Sequence, residues 1–275
     1  QFFFGDSISL HLFDSAFKIQ TDDKDIVLRD EIIVVIDAIN AFEGSLKLSE
    51  ITNEQMGAAL DSLKDSELIV EVMPVAIEVA YELPIINGQT VGEFLAKSGQ
   101  QTAFLQLRQL DWDKNIEILL DTVKEAFKLG FLKEDFNVLT MDPQVLRKTV
   151  TTLTESDVIC NVLNIGIQVA LNLDMVTDMF GELPEADLST MDWSKEFNSI
   201  VDIYAAFQNL EITTLENINV EQIVTDILDD QAKFDTVADI LAQVLSLQLV
   251  SEVGIDLAFN YVANNQLIVD AGLDQ

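Results

Sequence analysis

Three aspartates, Asp37, Asp121 and Asp202, follow similar apolar runs at matching places in this 275-residue chain. Aligned carboxylates of this kind can act as general acid and base or gather a hard cation. Helical spacing argues against both uses. Asp121 stands nine residues after Trp112, and nine steps of about 100° carry it roughly opposite the face that a buried tryptophan would hold. The expectation is a solvated face. The acidic clusters Asp22-Asp23-Asp25, Glu134-Asp135 and Asp229-Asp230 raise calcium more sharply. They lack the D-x-[DN]-x-[DN]-G loop that converges oxygens on one ion, so weak, territorial binding of divalent cations is expected and no dedicated metal site.

Nucleophilic and phosphate chemistry find no support in the spacing. There is no G-x-S-x-G, H-E-x-x-H, C-x-x-C, Walker loop or dinucleotide fingerprint, so no catalytic residue and no cofactor are assigned. The lone Cys160 sits inside an apolar block and reads as a small core residue. His11, the only histidine, cannot build an imidazole metal site by itself.

The charge balance bounds the partners. Fifteen Lys and Arg against 48 Asp and Glu give a formal charge of −33, a field that repels phosphate backbones and excludes nucleic acid. A halophilic origin would account for the same excess with no partner at all. Hydrophobic residues make up 49%, enough for a real core. One cysteine excludes an internal disulfide framework. The longest uncharged run, Val158 to Leu173, has 16 residues broken by three Asn and a Gln, short of the about 20 needed for a membrane span. Because the chain opens at Gln1, it is expected to be a processed or excised piece of something longer.

The elements that position these residues repeat. Leu110-Asp111-Trp112-Asp113-Lys114 and Met191-Asp192-Trp193-Ser194-Lys195 hold the two tryptophans, 81 residues apart. A weaker copy begins at Leu28, which stands where the Trp would be. A second block, Ser66-Glu67-Leu68-Ile69 with Val75–Ala80, matches Ser156-Asp157-Val158-Ile159 with Ile165–Ala170, and returns at Val253–Ala258. Two of these blocks close on Glu82-Leu83-Pro84 and Glu182-Leu183-Pro184. Matching order is the signature of a repeat architecture.

Each Trp block spells a helix. Apolar residues fall four, seven, eight and eleven places after Trp112 (Ile116, Leu119, Leu120, Val123) and again after Trp193 (Phe197, Ile200, Val201, Tyr204), one stripe at period 3.6. Asp111 and Asp192 stand at N-cap positions, and Trp112 and Trp193 head the stripe as inter-helix anchors. Gly130 supplies a stop, and Asp142 before Pro143 a second start. Ser7–Leu12 alternates and could form a short strand.

The linkers differ. Pro184 to Asp192 spans 8 residues and Pro84 to Asp111 spans 27. Insertions in repeat proteins often form the binding face, so the inserted segment 85–109 is the candidate contact surface, with Phe94, Leu95, Phe104 and Leu105 as contact residues. The competing reading is inert filler between units.

Helical units with an Asp-Trp start after a Leu-Pro linker, as in Glu82-Leu83-Pro84…Asp111-Trp112 and Glu182-Leu183-Pro184…Asp192-Trp193, resemble the degenerate repeats of large surface or secreted proteins of low-GC bacteria. The resemblance covers residues 28–260, departs at Leu28, and carries over no catalytic residue. It implies a structural or adhesive spacer, extracellular or on the cell surface.

The expected fold is therefore all-α, three stacked degenerate helical units of about 80–90 residues. The boundaries are an N-terminal segment 1–27, unit 1 at 28–109 with its insertion, unit 2 at 110–190 and unit 3 at 191–275. The expected function is a non-enzymatic structural or interaction module whose partner is another protein or further repeats. A binding module for a hydrophobic small molecule or lipid is the alternative, and a carboxylate-based enzyme the minor one.

Overall fold

Side-chain caps decide where most helices begin. A computed structural model of the chain describes residues 18–20, 25–44, 47, 50–86, 88–131, 133, 136–181, 186–210, 225 and 227–264. The candidate strand Ser7–Leu12, His11, the cluster residues Asp22, Asp23, Glu134 and Asp135, and the Glu182-Leu183-Pro184 linker lie outside them. The described chain is predominantly helical with little sheet. Two short antiparallel ribbons are present: β1 (Lys18–Gln20) with β2 (Asp25–Val27), and β3 (Pro84–Ile86) with β4 (Gln89–Thr90).

Helix α1 covers Leu28–Asn40 without a side-chain cap. Helix α2 (Asn53–Leu63) starts at a capping box in which Thr52 accepts from the Gln55 N–H while its own N–H donates to the Gln55 side chain. Ser66 caps α3 (Glu67–Glu82). Thr90 and Glu93 form a second box at α4 (Val91–Ala96), which is followed by α5 (Gln101–Gln106) and a 3₁₀ turn, Leu107–Gln109.

Asp111 caps α6 (Trp112–Phe127), accepting from Lys114 N at 3.1 Å. Gly130, at φ +76°, follows its C-terminal end in a conformation that favours glycine. Asp142 caps α7 (Pro143–Thr154) with Pro143 in the first turn, where its missing N–H costs nothing. Ser156 caps α8 (Asp157–Leu171), and α9 (Asp174–Phe180) follows. Asp192 caps α10 (Trp193–Gln208) through Lys195 N at 3.0 Å. Asp230 caps α11 (Gln231–Ser246), and a π-helical turn, Val250–Gly254, leads into α12 (Ile255–Asn264).

The helices pack in two files. In one file each helix touches the next in the order α1, α2, α6, α7, α10, α11. The other holds α3, the α4–α5 segment, α8, α9 and α12. Three buried clusters hold the helices together, the first where the two files meet and the other two within the second file. Trp112, Ile116 and Val158 pack with Ile69, Val70 and Met73. Leu95, Leu107 and Ile165 pack with Ile77 and Phe104. Leu171, Ala186, Leu188 and Val253 pack with Leu249 and Leu257. The apolar stripe is narrower than its spacing suggested. Trp112, Ile116 and Phe127 are buried, but Val123 is 45% and Ile200 41% exposed, because the covering helices reach only one flank of each stripe.

Candidate functional site

Among the described residues, Glu31, Ser66, Asn115, Ser156 and Glu196 bury their side chains at one kind of junction. Asn115, on the first turn of α6, is fully buried. Its Oδ1 accepts from Ser156 Oγ at 2.8 Å and from Val158 N at 3.2 Å, and its Nδ2 donates to the Asp111 carbonyl at 2.7 Å. A side chain of α6 thereby closes the N-terminus of α8. Helix N-termini carry unpaired N–H groups and a positive partial charge, so a buried oxygen there is well placed.

Glu31 of α1 makes the same connection to α3, accepting from Ser66 Oγ at 2.5 Å and Leu68 N at 3.1 Å. Glu196 of α10 makes it to the segment before α12, accepting from Gln248 N at 3.0 Å and Leu249 N at 2.8 Å. All three acceptors stand three residues after Leu28, Trp112 or Trp193. They were not singled out from the sequence. The available signal was a polar residue at the edge of the apolar stripe in each of the three places.

The aligned aspartates point outward but are not idle. Asp121 accepts from Lys64 of α2 at 2.5 Å, and Asp202 pairs with Arg147 of α7. Each therefore joins its helix to the preceding member of the file, while Asp37 of α1 is exposed. Lys124 reaches from α6 to Asp61 of α2 at 2.6 Å across Gly57, where a Cβ would crowd its Cε at 3.1 Å. The Lys124 hydrogen bond holds the Asp61 carboxyl below the usual carboxylate range. Burial alone would push Glu125 up, yet its hydrogen bonds to Lys148 and Lys128 outweigh that and lower it. Burial would likewise lower Lys64, and the Asp121 bond raises it instead. These groups pair across neighbouring helices, α2 with α6 and α6 with α7, and read as an ion-pair seam.

The tryptophans are both buried anchors with satisfied N–H groups. Trp112 Nε1 donates to the Leu107 carbonyl at 3.1 Å and Trp193 Nε1 to Asn164 Oδ1 at 2.9 Å. Cys160 is half-buried rather than a fully enclosed core residue. Burial, with Asp157 and Asp192 nearby, raises its thiol, the opposite of what a nucleophile needs.

Within the inserted segment the four expected contact residues differ in exposure: Leu95 is buried and Phe94, Phe104 and Leu105 are half-buried. Leu95 is 5% exposed and lies with Leu107 against Ile165 of α8. Leu95 is thus packing rather than contact surface, because the segment fills the space between α3 and α8. Phe104 packs on the same cluster and on Tyr81, and Leu105 is half-buried. Phe94 lines a recess of about 90 Å³ shared with Lys97, Val169 and Asp174. A second recess of about 190 Å³ lies between Pro74, Val75, Glu78 and Arg108. Both are smaller than the roughly 300 Å³ at which ligand pockets begin.

Among the described residues no three His, Cys, Asp or Glu side chains converge on a common point, and no single helix is long and apolar enough to cross a membrane. No family model, curated protein or solved structure matches the chain.

Proposed function

We propose that this chain is a non-enzymatic structural or interaction module, a row of three three-helix units within a larger acidic protein that is secreted or held at the cell surface. The units are 28–109, 110–190 and 191–275, built on α1–α2–α3, α6–α7–α8 and α10–α11–α12. One observation carries the reading: Glu31 and Asn115 each close the N-terminus of the third helix in their own unit, and Glu196 at the matching position bonds Gln248 and Leu249, just before the π-turn that leads into α12. A unit of this size has too little core alone, so neighbours must bury its faces.

The seam Lys64–Asp121 and Arg147–Asp202 supports stacking of each unit's second helix on the next unit's first. The charge of −33 favours solubility and spacing over tight packing against acidic surfaces. Native mass spectrometry of the purified chain tests the functional class. A mass of 30.6 kDa with no stoichiometric adduct supports the module. A bound lipid or other apolar molecule at one per chain would replace it with a small-molecule binding module.

A further inference from the structure

We propose that the outward face of α3, centred on Val75 and Val79, is the docking seat of residues 1–17 of this chain. The inference rests on the three-unit row above and names what completes its first unit. Val72, Val75, Val79 and Leu83 form one stripe along α3 and its C-cap, at helical spacing, and are 47% to 56% exposed. A recess of about 190 Å³ opens beside Val75, between Pro74, Glu78 and Arg108. A continuous apolar stripe left open to water marks a binding surface.

The other two units show what covers this face. Val75 and Val79 stand nine and thirteen residues after the Ser66 cap, as Ile165 and Val169 do after the Ser156 cap. Ile165 is 7% exposed, enclosed by Leu95 and Leu107 of the segment that precedes α6. Val253, at the matching place in the repeated block, is 8% exposed and packs with Ala186 and Leu188 of the segment that precedes α10. Ile77 and Ile167, two residues beyond Val75 and Ile165, pack instead on the segment that follows their own helix. Third helices and linkers therefore alternate along the second file. The linker ahead of each unit's first helix covers that unit's third helix. By this rule the face of α3 belongs to the chain ahead of Leu28.

Residues 1–17 lie outside the described residues, and their sequence suits the seat. Leu107 and Leu188, 2% and 3% exposed, each stand five residues before their tryptophan, but five residues before Leu28 stands Asp23. The apolar anchor for α3 must come from farther up the chain. Leu95 stands 17 residues before Trp112, and Leu10 and Leu12 stand 18 and 16 before Leu28. They belong to the run 7–13, which also holds Ile8 and Phe13, carries no Asp, Glu, Lys or Arg, and is flanked by Asp6 and Asp14. Laying that run on the valine stripe takes apolar surface on both sides out of water. Glu31 ties the start of α1 to the N-terminus of α3, and Val75 lies nine residues, about 14 Å, along α3 from Ser66. The chain ahead of α1 thus begins beside the seat.

Paramagnetic broadening in the isotope-labelled full chain tests the docking. A nitroxide is placed on Glu82→Cys, exposed at the end of α3, with Cys160→Ser leaving a single thiol. The expected result is loss of the amide signals of residues 8–13. The signals should return when either Val75→Asp or Leu12→Asp is added, with helix content unchanged by circular dichroism. They should stay intact with the nitroxide on Asp239→Cys of α11 instead. Full signals with the Glu82 label overturn the docking and leave the module reading standing. A loss that Val75→Asp leaves in place overturns it too, since the segment then lies near α3 without using this face. Equal loss when isotope-labelled chain without nitroxide is mixed with nitroxide-bearing chain puts a second copy on the face and also overturns it. A lipid adduct in native mass spectra would instead remove the module reading, whatever the amide signals show.

Discussion

Replacing Asn115 by alanine isolates the junction that carries the functional reading. Asn115 is completely buried and its Oδ1 is the acceptor for two buried donors, Ser156 Oγ–H and Val158 N–H. Alanine leaves both without an acceptor where water cannot replace it. Each orphaned buried group costs about 1–3 kcal/mol, so the expected loss is about 2–5 kcal/mol, a large share of the about 5–15 kcal/mol that holds a domain. Urea unfolding followed by circular dichroism and by tryptophan fluorescence reads the loss directly. Trp112 lies three residues away and reports on the same junction. Asn115→Asp keeps the acceptor beside the positive end of α8 and gives up only the Nδ2 bond to the Asp111 carbonyl. It should retain more than half of the lost stability, as Glu31 and Glu196 do the same work with carboxylates. A loss below about 1 kcal/mol for the alanine variant, the range of ordinary surface changes, would refute the reasoning.

Trp193→Ala should cost about 3–5 kcal/mol in the same assay, through the cavity and the stranded Asn164 Oδ1. Excising residues 85–109 removes Leu95 and Leu107 from their cluster with Ile165; at about 3–5 kcal/mol for each buried Leu, melting should fall by roughly 10 °C or more, and an unchanged melting curve would return the segment to surface. Within it, Gly92→Ala would drive a Cβ into the Tyr81 ring, so it should destabilise the wild type more than a Tyr81→Ala background, measured as a double-mutant cycle. The folded-state pKa of Glu125 lies below its ordinary value, so its contribution is present above the normal carboxylate range and lost as pH falls through the lowered value. The stability gap between wild type and Glu125→Gln should therefore be widest near neutral pH and close in strong acid; a gap that widens on acidification would reverse the assignment.

Helix starts were legible in the residues themselves because a cap is a local event. Asp111, Asp192 and the Asp142–Pro143 pair bond to N–H groups two or three residues on, and nothing distant is needed to place them. The apolar stripes and both tryptophan anchors were legible for the same reason, since period 3.6 is written in the chain. What period cannot state is which flank of a stripe a neighbour reaches. Val123 and Ile200 fit their stripes as well as Ile116 and Val201 do, yet are exposed. The role of 85–109 was hidden likewise: Leu95 and Leu107 meet Ile165, far along the chain, and only the approach of α8 buries them. Asn115 is the plainest case. Its 0% exposure is tolerable only because Ser156 and Val158, 41 and 43 residues away, arrive to satisfy it. Local bonding determined where helices begin, whereas burial and polar satisfaction between distant segments were decided by the tertiary structure, because desolvation depends on every neighbour at once.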